Sequence, residues 1–370
     1  MEMKKEVTVT RSQNKARLAI LEIAHMMSVP MSLVAVIKMK VPDTIWQDGS
    51  NTPLSAAQII DRIRPHGGAD AENLQRILRL LTSYDIFAEH LSSTGERKYF
   101  LTNVGKTLVA DDEGLSYAPY MLQHHQDALM RAWPLVEEAV EDPTVEPFAK
   151  VNGESALPYY MKQPDIADLY HKGLYGMSVP FMRDMLELYD GFQGVKTLVD
   201  VGGNSGVSLR MIMEKHPNIL QGINYDLPDM VALAPQFPGI THVGGDAFES
   251  VPPGDAIFMK WVFSGWTDEE CKQVLENCYK ALSVDGKLIV CEPVAPELTD
   301  ESQRTRALLA GDIFVMTITK GKHRTEQQFK HLAISAVREP YDQLFESEIK
   351  SEPLDGQKYG WTAMQFLGAL

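Results

Sequence analysis

Residues 199–206 read Val199-Asp200-Val201-Gly202-Gly203-Asn204-Ser205-Gly206. An apolar run stops at a glycine-rich turn, and a helical pattern starts directly after it. Such a turn lets main chain approach a ligand closely, beside a helix N-terminus. Working outward, the texture repeats. Strand-like runs over 197–201, 222–225, 241–243, 256–260 and 287–292 alternate with helical stretches. That alternation predicts an α/β fold, a parallel sheet with helices on both faces and right-handed crossovers. The Rossmann-like sheet domain is expected over residues 191–370.

Two acids sharpen this reading. Asp226 closes the second run, in Ile223-Asn224-Tyr225-Asp226-Leu227-Pro228, and Asp246 follows the third, in Val243-Gly244-Gly245-Asp246-Ala247-Phe248. An acid at the end of the second strand accepts ribose hydroxyls. One after the third suits an adenine amino group, with Phe248 packing on the ring. Either acid alone is as readily a strand terminator or a helix cap. A glycine turn and two acids at three successive strand ends form a constellation that points to a bound nucleoside. Dinucleotide-binding sheets use similar turns, so a nicotinamide-dependent dehydrogenase is a competing reading, favoured if the chain binds NAD.

Composition narrows the class. The chain has 370 residues, 44% apolar and 23% charged, as expected for two globular domains. A formal net charge of −15 argues against nucleic acid as a partner. Cys271, Cys278 and Cys291 lack the spacing of a zinc site or a disulfide framework and are expected as buried, reduced thiols. No metal is expected. No apolar run reaches the 18 residues of a membrane span, and Met1–Lys15 reads as a flexible polar tail, so a cytoplasmic protein is expected.

Residues 14–45 are helical in pattern and apolar nearly all round, with Pro30 as a break. A helix of that kind must be buried, and a second copy of the chain offers the cheapest burial, so a homodimer is expected. Ser55 is a candidate N-cap, residues 71–84 form an amphipathic helix, and 86–101 read as a hairpin turning at Ser93, Thr94 and Gly95. Helix, helix, hairpin is the order of a winged helix. No basic recognition stripe accompanies it, so residues 1–115 read as a dimerisation domain. Residues 116–190 form a helical, aromatic-rich linker.

From 198 to about 297 the chain resembles the S-adenosylmethionine (SAM) domain of plant caffeate- and flavonoid-type O-methyltransferases. The resemblance rests on the Asp226 and Asp246 segments, on Asp255-Ala256-Ile257-Phe258-Met259-Lys260-Trp261, on Asn277-Cys278-Tyr279-Lys280-Ala281-Leu282 and on Gly286-Lys287-Leu288-Ile289-Val290. The N-terminal half resembles that family's dimerisation domain more loosely. The resemblance implies SAM as cofactor, cradled by Gly202 and Gly203, with Asp226 and Leu227 at the ribose, Asp246, Ala247 and Phe248 at the adenine, and Lys260 and Ser178 nearby. Asn204 replaces the family's middle glycine and tolerates left-handed backbone. Ala247 replaces a bulkier residue.

At the acceptor end the resemblance breaks. Residues 260–266 read Lys260-Trp261-Val262-Phe263-Ser264-Gly265-Trp266, where the family ends the segment His-Asp-Trp and uses the His as general base on a phenol. Ser264 cannot do that work at neutral pH. Glu292 keeps one supporting acid, while Gln328 aligns with the other. A pyridine nitrogen has an available lone pair and needs no base. Within the family the chain resembles most closely the plant nicotinate N-methyltransferase branch, and that resemblance implies conversion of nicotinate to N-methylnicotinate (trigonelline). Tyr120 and His124, four residues apart on one helix face, are candidate donors to the carboxylate. Met177, Phe181, Trp266, Phe314, Val315 and Met316 stand where the family lines its acceptor pocket, although composition alone would make them core. His25 and Met26 correspond to the segment that reaches a partner's pocket. The alternatives are an O-methyltransferase using another base and a catalytically silent SAM-binding paralogue.

Overall fold

The computed structural model describes residues 2–336, 350–353 and 361–367. The chain divides into two units. One holds the residues up to Gln126 together with Asp165–Met177; the other holds Asp127–Pro164 and the chain from Ser178 onward.

The first unit begins with α1 (Glu2–Ala24), α2 (Ser28–Lys38) and α3 (Val41–Ile45). Helix therefore starts well inside the segment read as a flexible tail. The break falls at His25–Met27, not at Pro30. Pro30 sits in the first turn of α2, where a missing N–H costs nothing. Next come β1 (Leu54–Ser55), α4 (Ala56–Ile63), α5 (Ala71–Thr82), β2 (Phe87–Leu91), β3 (Arg97–Leu101), α6 (Asn103–Lys106) and α7 (Ala118–His124). Ser55 caps α4 in a capping box with Gln58. β2 and β3 form the expected hairpin, and β1 adds a third, antiparallel strand. Leu33, Val36 and Ile37 of α2, Ile59 of α4, Leu78 and Leu81 of α5 and Phe87 and Tyr99 of the hairpin share one core.

The second unit contains α8 (Asp127–Met130), α9 (Val136–Glu141), α10 (Pro147–Asn152), α11 (Ala156–Met161) and the latter part of α12 (Pro164–Leu188). Its sheet alternates with helices: β4 (Thr197–Val201), α13 (Val207–Lys215), β5 (Gln221–Asp226), α14 (Pro228–Val231), β6 (Ile240–Gly244), β7 (Gly254–Lys260), α15 (Asp268–Ala281), β8 (Leu282–Pro293), α16 (Gln303–Ile318), α17 (Glu326–Ala336), β9 (Lys350–Pro353) and β10 (Trp361–Leu367). The strand order is β6-β5-β4-β7-β8-β10-β9. Strands β6 through β8 are parallel, as the alternation predicts. β10 and β9 run antiparallel and extend the sheet beyond the strands read from the sequence.

Alternation along each central strand builds two cores. Val199, Ile257, Met259, Leu288 and Val290 face Val274, Cys278, Phe329 and Leu332 of α15 and α17. Leu198, Ala256, Phe258, Ile289 and Cys291 face Met182 and Met185 of α12 and Leu209 and Ile212 of α13. Each large apolar side chain so buried contributes about 1.5–3 kcal/mol. Because both faces are covered, the strands read as apolar runs rather than alternations, and their polar ligand-facing groups cluster at the carboxyl ends. The three cysteines are unpaired and buried. Among the described residues no single helix is long and apolar enough to cross a membrane.

Candidate functional site

β4 delivers the chain into the turn 202–206. Gly202, Asn204 and Gly206 all have positive φ, at 74°, 52° and 78°. A Cβ on Gly202 would stand 2.8 Å from Val262, and one on Gly203 would stand 2.1 Å from Asn224 Oδ1 and 2.8 Å from Asp200 Cγ. The turn is closed to side chains at both positions. Asn204 takes the left-handed backbone expected of it.

Asp226 lies beside this turn. Its Oδ2 accepts the N–H of Asn204 at 2.8 Å and its Oδ1 accepts that of Leu227 at 2.7 Å. Burial raises its pKa, and the two N–H groups pull it back. Asp246 Oδ1 accepts the N–H of Phe248 at 2.9 Å. The carbonyls of Ala247 and Phe248 are held at 3.0 Å by Asn277. The Phe248 ring lies 4.9 Å from that of Trp266. Leu227 is exposed; Ala247, Phe248 and Ser178 are half-buried. The Lys260 ammonium sits 3.6 Å from the Trp261 ring centroid. Burial lowers its pKa and raises that of Asp200, while each charge pulls the other back. Asp200 Oδ2 and Asn224 Oδ1 are buried without partners and converge on Gly203. The carboxylates of Asp226 and Asp246 fit a ligand rich in hydroxyl and amino groups.

After Lys260 a tight 3-10 turn covers Phe263–Gly265. Glu292, fully buried at the end of β8, accepts the N–H of Val262 at 2.6 Å and of Phe263 at 2.9 Å. Burial pushes its pKa up to about 7, against the pull of those N–H groups and of Ser264. Arg324 holds the opposite end. It is 1% exposed, donates to the carbonyls of Phe263 and Trp266 at 2.8 Å each, and pairs with Asp268. The two buried charges satisfy the donors and the acceptors of one turn. Space around Gly265 is open, whereas a Cβ on Gly321 would lie 2.1 Å from the Ser264 carbonyl oxygen.

Gln328 requires a correction. It is exposed, and its side chain accepts the Thr325 N–H at 2.9 Å as part of the cap of α17. It is not a neighbour of the Ser264 turn. The chain that packs there is 321–324, and its His323 imidazole rests against Gly311 of α16. Burial lowers the His323 pKa, while Asp312 raises it. Arg324, Gly321, Asn224 and His242 escaped the sequence reading; a glycine and an arginine in the short run 321–324 were the only signal for the first two. Phe181 packs on Trp261 with ring centroids 5.2 Å apart. Phe314, Val315 and Met316 are half-buried on α16.

In the first unit α7 places Tyr120 and His124 in contact, ring centroids 3.9 Å apart. Gly173 of α12 packs on the main chain of Tyr120: a Cβ there would lie 3.2 Å from Tyr120 Cα. Met177 follows one turn on and is half-buried. Burial pushes Tyr120 up to about 12 and His124 down to about 4. His124 Nδ1 lies 2.9 Å from the Tyr120 carbonyl oxygen. A carbonyl only accepts, so Nδ1 carries the proton of the neutral ring and Nε2 presents a lone pair. His125 Nδ1 instead meets the Met121 carbonyl at 2.8 Å. His25 borders a surface cleft with Glu22, Ser28 and Tyr84, and Met26 accepts a weak hydrogen bond from Tyr84.

Residues 133–337 match the O-methyltransferase domain family, and residues 21–111 match the O-methyltransferase dimerisation domain family. The chain belongs to the O-methyltransferase family. Among its relatives, nicotinate N-methyltransferase 1 of Glycine max is 65% identical over 336 residues, spanning 90% of this chain and 94% of that protein. Nicotinate N-methyltransferase 1 of Arabidopsis thaliana is 61% identical, spanning 88% and 93%. The caffeic acid 3-O-methyltransferase of Zinnia elegans is 39% identical, spanning 88% and 94%. The crystal structure of human N-acetylserotonin methyltransferase in complex with SAM superposes with a TM-score of 0.79 at 18% identity, covering 96% of this chain and 98% of that one. The O-methyltransferase fold is therefore the fold of this chain.

Gly203→Ala is expected to weaken SAM binding at least about ten-fold, because its Cβ displaces Asn224 and Asp200. Calorimetric titration of the folded variant checks this.

Proposed function

We propose that the chain transfers a methyl group from SAM to the ring nitrogen of nicotinate, giving N-methylnicotinate. The observation that carries this reading is the Phe263–Gly265 turn. Ser264 supplies no group that takes a proton at neutral pH, and the family's histidine is absent; Glu292 beside it accepts the N–H groups of Val262 and Phe263 through Oε1. A phenol would need a base at this place; a pyridine nitrogen would not. Relatives named for nicotinate N-methylation are 52% to 65% identical to the chain.

When bound, SAM supplies an electrophilic sulfonium methyl group, and the C–S electron pair returns to sulfur. Asp226 holds the ribose hydroxyls and Asp246 the adenine amino group, with Phe248 against the ring. The glycine turn keeps main chain close to the donor. Glu292 and Arg324 hold the Ser264 turn, so that alignment supplies the rate. Phe181, Trp266, Phe314, Val315 and Met316 offer apolar surface for a flat ring. The Tyr120 hydroxyl, which burial keeps protonated, donates to the nicotinate carboxylate. His124 binds the anion as it takes a proton on Nε2.

A second copy of the chain covers α1. Leu18, Ile20, Leu21 and Ile23 are 55% to 66% exposed in the single chain, and the matched dimerisation domain begins at residue 21. Three buried, unpaired thiols suit the reducing cytoplasm.

An assay of methyl transfer over a panel of pyridine carboxylates and phenols tests the central reading. Nicotinate is expected as the preferred acceptor, and Ser264→His is expected not to raise that rate. Transfer to phenols alone would overturn it.

The acceptor anchor has a pH signature. His124 titrates near 4 without ligand, and a carboxylate beside it raises that value. Between the two values binding takes up a proton, so affinity for nicotinate falls as pH rises. The KM for nicotinate is expected to climb with pH while that for SAM stays level, and His124→Ala should raise the nicotinate KM and flatten the slope. Steady-state kinetics across pH checks both.

Charge at the α1 face tests the dimer. Leu21→Glu with Ile23→Glu is expected to give a monomer in sedimentation velocity, where the unaltered chain sediments as a dimer.

A further inference from the structure

One buried polar relay lies behind the donor turn and has no part in the chemistry above. Asn224 of β5 is fully buried. Its Nδ2 lies 2.9 Å from the Asn204 carbonyl oxygen and 2.9 Å from His242 Nδ1. A carbonyl only accepts, which fixes the amide orientation: the NH2 faces Asn204, and its second hydrogen points at the imidazole. His242, half-buried on β6, places Nε2 3.0 Å from the Pro235 carbonyl. Nε2 therefore carries the ring proton, and Nδ1 is the acceptor that Asn224 needs. The relay runs in one direction, with His242 donating to Pro235 and Asn224 donating to both His242 and Asn204.

Its far end is the donor turn. Asn204 stands in left-handed backbone, at φ 52°, a conformation that costs free energy for any residue with a Cβ. Its carbonyl is held by Asn224, and its own N–H points at Asp226 Oδ2, 2.8 Å away. The Asn224 amide thus grips one side of the peptide pair whose other side orients the carboxylate. The glycine that follows leaves room for the relay: a Cβ on Gly206 would come within 3.2 Å of the imidazole and 3.4 Å of Asn224.

We propose that Asn224 and His242 are positioning residues for the methyl donor, holding Asn204 so that its N–H aims Asp226 at the ribose. The proposal rests on the reading of Asp226 as the ribose ligand. Neither residue touches the acceptor, so their loss acts on donor affinity and leaves the step itself alone. His242 can be replaced by Asn, whose Oδ1 takes the place of Nδ1 as acceptor.

The experiment titrates SAM calorimetrically into the full-length protein carrying His242→Leu, His242→Asn, Asn224→Leu or Asp226→Asn, and measures kcat and both KM values. His242→Leu should weaken SAM binding about ten-fold, as expected when a buried donor loses its acceptor. His242→Asn should restore most of that loss. The kcat at saturating SAM and the KM for nicotinate should stay within about two-fold of the unaltered protein. Asn224→Leu should act in the same direction and more strongly; if it does not fold, the two His242 variants decide. Unchanged SAM affinity in His242→Leu, with affinity lost in Asp226→Asn, overturns the proposal and leaves the ribose reading standing. Equal losses in His242→Leu and His242→Asn, or a fall in kcat to match, also overturn it. Retained affinity in Asp226→Asn overturns the ribose reading itself, and the proposal with it.

Discussion

The carboxylate of Glu292, buried against the N–H groups of Val262 and Phe263, is the interaction on which the acceptor side of the catalytic unit depends. Taking a carboxylate out of water costs several kcal/mol unless donors meet it. Here the first donors of a tight turn meet it, and Arg324 meets the carbonyls at the other end. The bonds that bracket the turn are all made to its main chain. Ser264 is its middle residue. Its side chain makes none of those bonds, so the residue at this place can differ without removing any of them.

Most of the architecture was legible from local pattern. The apolar runs became β4 through β8, the turn 202–206 took positive φ at Gly202, Asn204 and Gly206, and Ser55 capped its helix. Tyr120 and His124, four apart, met on one face of α7. What escaped were contacts between distant residues. Arg324 bonds to Phe263, 61 positions away, and nothing in its own neighbourhood announces that. Asn224 reaches His242 across adjacent strands. Gln328 was misplaced because one residue type in a polar run looks like another until the helix start is known. β10 escaped because its direction is set by pairing with β8, and Pro30 misled because a proline in a first turn begins a helix as readily as it ends one.

The hydrogen bond of His124 changes what its position implies. As a residue type it donates to anions. With Nδ1 committed to the Tyr120 carbonyl and burial opposing its charge, it offers a lone pair instead. The phenolic hydroxyl of Tyr120 is then the standing donor of the pair.

The three cysteines acquire a meaning from the reagent this family handles. Sulfonium methyl groups alkylate thiolates readily, and thiolate, not thiol, is the reactive form. Burial raises Cys271 and Cys278 to about 12 and Cys291 higher still. Cys291 lies one residue from Glu292, yet its sulfur is packed into the opposite face of the sheet. A chain that handles an alkylating donor thus holds its softest nucleophiles as buried, protonated thiols.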